Sequence, residues 1–140
     1  MILSNDLDKI APAILGAQKD LGSVKKGAAN PFFKSKYADL TAVIQALKDV
    51  VNKHELSILQ TQRGGKVITA LMHSSGQYIC SETEIICSKE NDPQALGSAI
   101  SYARRYGLQS ILCLPAEDDD GEKAMGRKVT NKKSNRGSDF

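Results

Sequence analysis

At 140 residues, 41% of them hydrophobic, the chain is long enough for one domain of ordinary size plus a tail. Its formal net charge of +3, from 19 basic against 16 acidic residues, is too mild to define a nucleic-acid binder by itself, and aromatics reach only 5% with no Trp. Cys80, Cys87 and Cys113 are an odd number without Cys-x-x-Cys spacing, which argues against a disulfide framework or a zinc site. They are expected to be small buried hydrophobes in a reducing compartment. Met1-Ile2-Leu3 runs straight into Ser4-Asn5-Asp6 without the basic start of a signal peptide. No stretch of about 18 apolar residues follows, so the expectation is a soluble, intracellular protein.

Charge is unevenly placed. Leu21–Ala38 carries Lys25, Lys26, Lys34 and Lys36 with no acid, and Pro93–Ala116 carries Arg104 and Arg105 with no acid. Acids gather in Glu82–Asp92 and in the tail, so a basic patch on a nearly neutral body is expected.

In chain order, Ile10, Ile14, Leu15 and Leu21 have helical spacing. Pro12 is tolerated only in a first turn, so the helix is expected to begin near Asp8 or Lys9, and Gly22 to end it. Gly22–Asn30 reads as a loop, and Asn30-Pro31 holds the chain extended. Phe32-Phe33-Lys34-Ser35-Lys36-Tyr37 alternates imperfectly between apolar and basic, as an extended segment does. Asp39 is placed to cap a second helix whose buried stripe is Leu40, Val43, Ile44, Leu47, Val50 and Val51. His54, at its end, reads as a packed or capping residue.

Three strands are predicted next: Leu56–Gln62, Lys66–His73 and Gln77–Cys87. Gln62-Arg63-Gly64-Gly65 and Ser74-Ser75-Gly76 connect them, and such short glycine-bearing turns imply an antiparallel meander. The fold class is therefore α+β, a three-stranded antiparallel meander packed against helices, with two open sheet edges that favour assembly. Asp92 then caps a last helix with Pro93 as its first residue. Leu96, Ile100, Ala103, Gly107 and Ile111 define its buried arc, widened by Ala99 and Tyr106. Arg104 lies at the edge of that arc and Arg105 nearly opposite. Two adjacent arginines without a carboxylate on their helix point either to an anionic partner or to a solvated basic face.

From Glu117 the character changes. Glu117–Phe140 holds six acids and six bases with little apolar content, so residues 117–140 read as a neutral, disordered tail and 1–116 as the domain.

Two stretches carry a family resemblance. Asp92-Pro93-Gln94-Ala95-Leu96-Gly97-Ser98-Ala99-Ile100-Ser101-Tyr102-Ala103-Arg104-Arg105-Tyr106-Gly107-Leu108, followed by Glu117-Asp118-Asp119-Asp120-Gly121, resembles the ERF (essential recombination function) family of phage single-strand annealing proteins. Asn30-Pro31-Phe32-Phe33-Lys34-Ser35-Lys36-Tyr37-Ala38-Asp39-Leu40 is similar to a second motif of that family at its usual separation. The resemblance implies a β-β-β-α annealing core assembled into rings or helical filaments, acting without catalytic residues, nucleotide or metal cofactor. It also implies that Lys34, Lys36 and Tyr37 join Arg104 and Arg105 along a groove for single-stranded DNA. Arg104, before Tyr106-Gly107, looks like the groove arginine of the eukaryotic annealing mediator. Arg63 and Lys66 flank a hairpin turn placed to close the groove, against the simpler reading of a solvated turn. The implied partners are single-stranded DNA, the annealed duplex intermediate, further copies of the chain, and a host single-strand-binding protein or phage exonuclease. The implied location is the cytoplasm of an infected bacterium, with no membrane partner.

The residues themselves fit a non-enzymatic role. No Gly-x-x-x-x-Gly-Lys-Ser/Thr loop is present, and Gly64-Gly65-Lys66 is too short to replace one. Glu117–Asp120 is the one cluster able to hold a divalent cation, though consecutive carboxylates usually repel and solvate. Proteins that protect single strands commonly stack bases on aromatics, at about 1–3 kcal/mol per base. A Trp-free chain that grips phosphates would leave bases free to pair. Three other readings remain open at this point, one of them a purely structural oligomer in which charge reversal at Arg104 and Arg105 would leave DNA binding unchanged. A double-stranded RNA-binding module fits the element order, but Asp92-Pro93-Gln94 at the last helix start would repel phosphate. A metal-dependent nuclease would rest on Glu117–Asp120.

Overall fold

The structure is a computed structural model that describes residues 1–25 and 40–114. Its elements in chain order are β1 (Ile2–Leu3), α1 (Ile10–Lys25), α2 (Leu40–Asn52), β2 (Leu56–Arg63), β3 (Lys66–His73), β4 (Tyr78–Glu84) and α3 (Pro93–Ile111). The three expected strands form an antiparallel meander, but the sheet has a fourth member and the order β1-β4-β3-β2. The addition is β1, which pairs Ile2 with Cys80 and Leu3 with Ile79. Two residues are too few to show a period, so only the long-range pairing reveals this strand.

The β2–β3 hairpin turns on Gly64 (φ 59°) and Gly65 (φ 75°). Positive φ at both central residues gives a turn whose twist matches the strands, and it seats Arg63 opposite Lys66. From there the register runs Gln62–Val67–Thr83, Gln60–Thr69–Ser81 and Ile58–Leu71–Ile79 across β2, β3 and β4 on one face. Val67, Thr69 and Leu71 of that face are buried, and all three helices pack there. The other face carries Leu59, Ala70, Cys80 and Ile2 in one row, with Leu59 and Ile2 about half exposed.

The core joins Ile10, Ala17 and Leu21 of α1 to Val43, Leu47, Val50 and Val51 of α2, Leu56 and Leu71 of the sheet, and Leu108 with Leu112 at the end of α3. Each large side chain fully removed from water contributes about 1.5–3 kcal/mol. The α2 stripe agrees with its predicted spacing, although Leu40 and Ile44 are only partly buried. Asp39, its expected cap, lies outside the described residues.

Helix α1 starts at Ile10, one or two residues later than predicted, and keeps Pro12 inside its first turn. It continues through Gly22 to Lys25 rather than stopping at the glycine. Its N-terminus is closed from a distance. Gln77 Oε1 accepts from the backbone N–H groups of Lys9 (2.8 Å) and Ile10 (2.9 Å), while Gln77 Nε2 donates to Asp8 Oδ1 (2.8 Å). That side-chain bond holds the Asp8 carboxyl below the ordinary carboxylate range. At the other side of α1, His54 Nε2 meets Asp20 Oδ2 at 2.6 Å. The imidazole lies so near Gly16 that a Cβ there would come within 2.6 Å of His54 Nδ1. His54 thus fastens the end of α2 to α1. No described helix is long and apolar enough to cross a membrane.

Candidate nucleic-acid interface

Helix α3 begins as its sequence dictates. Asp92 Oδ1 accepts from the N–H groups of Gln94 (3.0 Å) and Ala95 (3.1 Å), and Pro93 occupies the first turn. Its buried line differs from the predicted arc. Ala103, Gly107, Leu108 and Leu112 are buried, whereas Leu96 is 46% and Tyr106 57% exposed. Small Ala103 and Gly107 let the backbone approach the sheet so closely that a Cβ at Gly107 would collide with Thr69 Oγ1. Leu108 and Ile111 then complete the contact on one flank, and bulky Tyr106 on the other flank is left at the rim. Leu96 is in phase but sits about 16 Å up the helix from Gly107. In that direction β3 has only the three residues before Thr69, Lys66–Ile68, which extend about 10 Å.

That rotation brings Arg104 onto the shoulder of the contact, over β2. Arg104 Nε donates to Gln60 Oε1 at 3.1 Å. Gln60 Nε2 in turn donates to Thr69 Oγ1 (3.0 Å) and to the backbone carbonyl of Arg104 (3.0 Å). Arg105 was expected nearly opposite the apolar arc, and it is instead half-buried, with its Nε enclosed and unbonded among the described residues. Its guanidinium carbon lies 6.0 Å from the centre of the Tyr102 ring, at the outer range of a cation–π contact. Tyr102 and Tyr106 stack one turn apart, with ring centres 6.3 Å apart and planes 23° from parallel. Neither arginine pairs with a carboxylate among the described residues.

Two shallow grooves border this helix. One of about 450 Å³ runs along Gly97, Ser98 and Ser101 between Gln94 and the Tyr102–Arg105 pair. The other, about 570 Å³, lies between the end of β4 and α3 and is lined by Ile86, Ala99, Tyr102 and Tyr106 with Thr83 and Glu84.

The other sequence candidates fall elsewhere. Arg63 and Lys66 face each other across the hairpin, and by strand alternation both lie on the sheet face away from α3. Lys66 Nζ bonds Glu82 Oε1 at 3.1 Å, an exposed pair of small worth. The structure therefore brings Arg104 and Arg105 together but leaves Arg63 and Lys66 on the opposite face. Lys34, Lys36, Tyr37 and Glu117–Asp120 lie outside the described residues. Cys80 and Cys87 are half-buried and Cys113 is exposed, so none is the fully buried hydrophobe expected. Among the described residues no three His, Cys, Asp or Glu side chains gather as a metal site would require.

Gln60 and Thr69 carry no charge and escape a search for basic residues. The available signal is a break in pattern: the inward positions of β2 read Leu56, Ile58, then Gln60 and Gln62.

These features define an α+β domain whose sheet is covered on one face and whose last helix presents a pair of cations with no carboxylate partner among the described residues. The chain belongs to the ERF superfamily, whose family model matches residues 10–139. No curated protein and no solved structure matches it.

Proposed function

We propose that the chain is an ATP-independent single-strand annealing protein of phage-type recombination. It holds the sugar–phosphate backbone of single-stranded DNA in a basic groove formed by an oligomer, with residues 1–116 as the annealing domain. The observation that carries this reading is the Arg104–Arg105 pair on a carboxylate-free helix, in a chain of the ERF superfamily. Guanidinium groups suit phosphate because their fork of donors matches its oxygens and their charge does not titrate away. Lys34, Lys36 and Tyr37 belong to the same groove in this reading. Arg63 and Lys66, facing away from α3, suit a neighbouring subunit or duplex better than the strand held on α3.

Base pairing supplies the free energy of annealing, so the protein needs only to hold one strand extended and accessible. Each phosphate neutralised adds about −0.7 to the log–log salt slope of single-strand binding. The test mixes complementary strands with the full chain, with chelator and without ATP, and follows duplex formation across a salt series. Acceleration is expected, together with its loss in Arg104→Glu, Arg105→Glu at unchanged melting temperature. Wild-type annealing by that double variant, or strand cleavage abolished by chelator, would sink the reading.

A further inference from the structure

We propose that Gln60 is a positioning residue for DNA binding, a neutral clamp that fixes the Arg104 guanidinium in its phosphate-gripping orientation without spending its charge. The inference rests on the reading above, in which Arg104 touches phosphate.

The geometry uses every hydrogen of the Gln60 amide. One N–H goes to Thr69 Oγ1 on the central strand, the other to the Arg104 carbonyl, and Oε1 receives Arg104 Nε–H, all at 3.0–3.1 Å. Turning the amide over would aim its N–H groups at the guanidinium donor, so only one orientation serves all three bonds. Thr69 is fully buried, which anchors the clamp in the sheet rather than on the surface. Tied at Nε, Arg104 keeps both terminal nitrogens, and neither bonds a described residue. A free arginine carries about 2 kcal/mol of rotamer entropy, part of which binding would otherwise cost. A carboxylate at position 60 would hold the same nitrogen but compete with phosphate for the charge. Glutamine holds it and stays neutral.

The test measures single-stranded DNA affinity of the full chain across salt, with melting temperature alongside. Gln60→Met keeps length and neutrality but accepts no bond from Nε. Its affinity should fall about three- to tenfold, the scale of one net hydrogen bond, with the salt slope unchanged because the charge is still there. Gln60→Glu should lower the slope magnitude by about 0.7, one phosphate contact. In an Arg104→Lys background, which has no Nε–H fork, Gln60→Met should change affinity no further. An equal loss in both backgrounds would mean that Gln60 acts through packing, and the inference falls. Wild-type affinity in Gln60→Met, alongside a loss in Arg104→Glu, also rejects the clamp while leaving the function standing. Should Arg104→Glu itself bind normally, the functional reading fails instead. If Gln60→Met melts before binding can be read, Gln60→Glu decides: a wild-type slope rejects the clamp.

Discussion

Two neighbouring rungs of the same sheet face do different jobs. Ile58, Leu71 and Ile79 lie side by side across three strands and meet α1, α2 and the end of α3. One rung along, Gln60 and Thr69 lie beneath Gly107 of α3, with Ser81 paired beside Thr69. The apolar rung excludes water and needs only shape, whereas the polar rung must satisfy its own hydrogen bonds to remain buried. Ser81 Oγ has no hydrogen-bond partner among the described residues, which makes that rung the costlier of the two to bury. The difference separates what holds the domain together from what aims its arginine.

Leu71→Ala should destabilise the domain by about 2–5 kcal/mol, since Leu71 is fully enclosed and its removal leaves a cavity. Urea unfolding checks it, and the folded fraction should retain its DNA affinity. Gly107→Ala pushes a methyl group into Thr69 Oγ1 and should cost about 1–3 kcal/mol by overpacking. Unlike Leu71→Ala, it should also weaken single-strand binding in the folded fraction, because the collision lands on the Gln60–Thr69 bond. Equal effects of the two variants on binding would erase the distinction between the rungs. Gln77→Ala, near the apolar end, should cost about 1 kcal/mol, as lost helix caps do, with no effect on DNA. The part due to Asp8 has a definite pH sign. A lowered folded pKa means stability that is present above the unfolded value, about 3.9, and lost as pH falls through the folded one. Melting curves of Gln77→Ala and wild type should therefore draw closer in acid.

Much of the fold is legible in the sequence. The β3 limits and the start of α3 follow from alternation, glycine turns and the Asp92-Pro93 cap, all of them local signals. What was missed is non-local. Strand β1 exists because β4 offers it an edge, and Gln77 caps a helix 67 residues away in sequence. The tilt of α3 is also invisible to periodicity: a helical wheel weighs hydrophobicity, while the contact line is set by how near Gly107 can come to Thr69. For the site, the arginine pair was readable as charge without a partner. Its neutral holder was not, since an inward glutamine in a strand looks like noise until the helix above it is placed.

The clamp has a chemical consequence of its own. Carboxamide, hydroxyl and peptide carbonyl, the groups through which Gln60 holds Arg104 to the sheet, neither gain nor lose protons anywhere in the range a living cell visits. The grip on this arginine is accordingly indifferent to acidification, a constancy that an aspartate or histidine in the same place would forfeit.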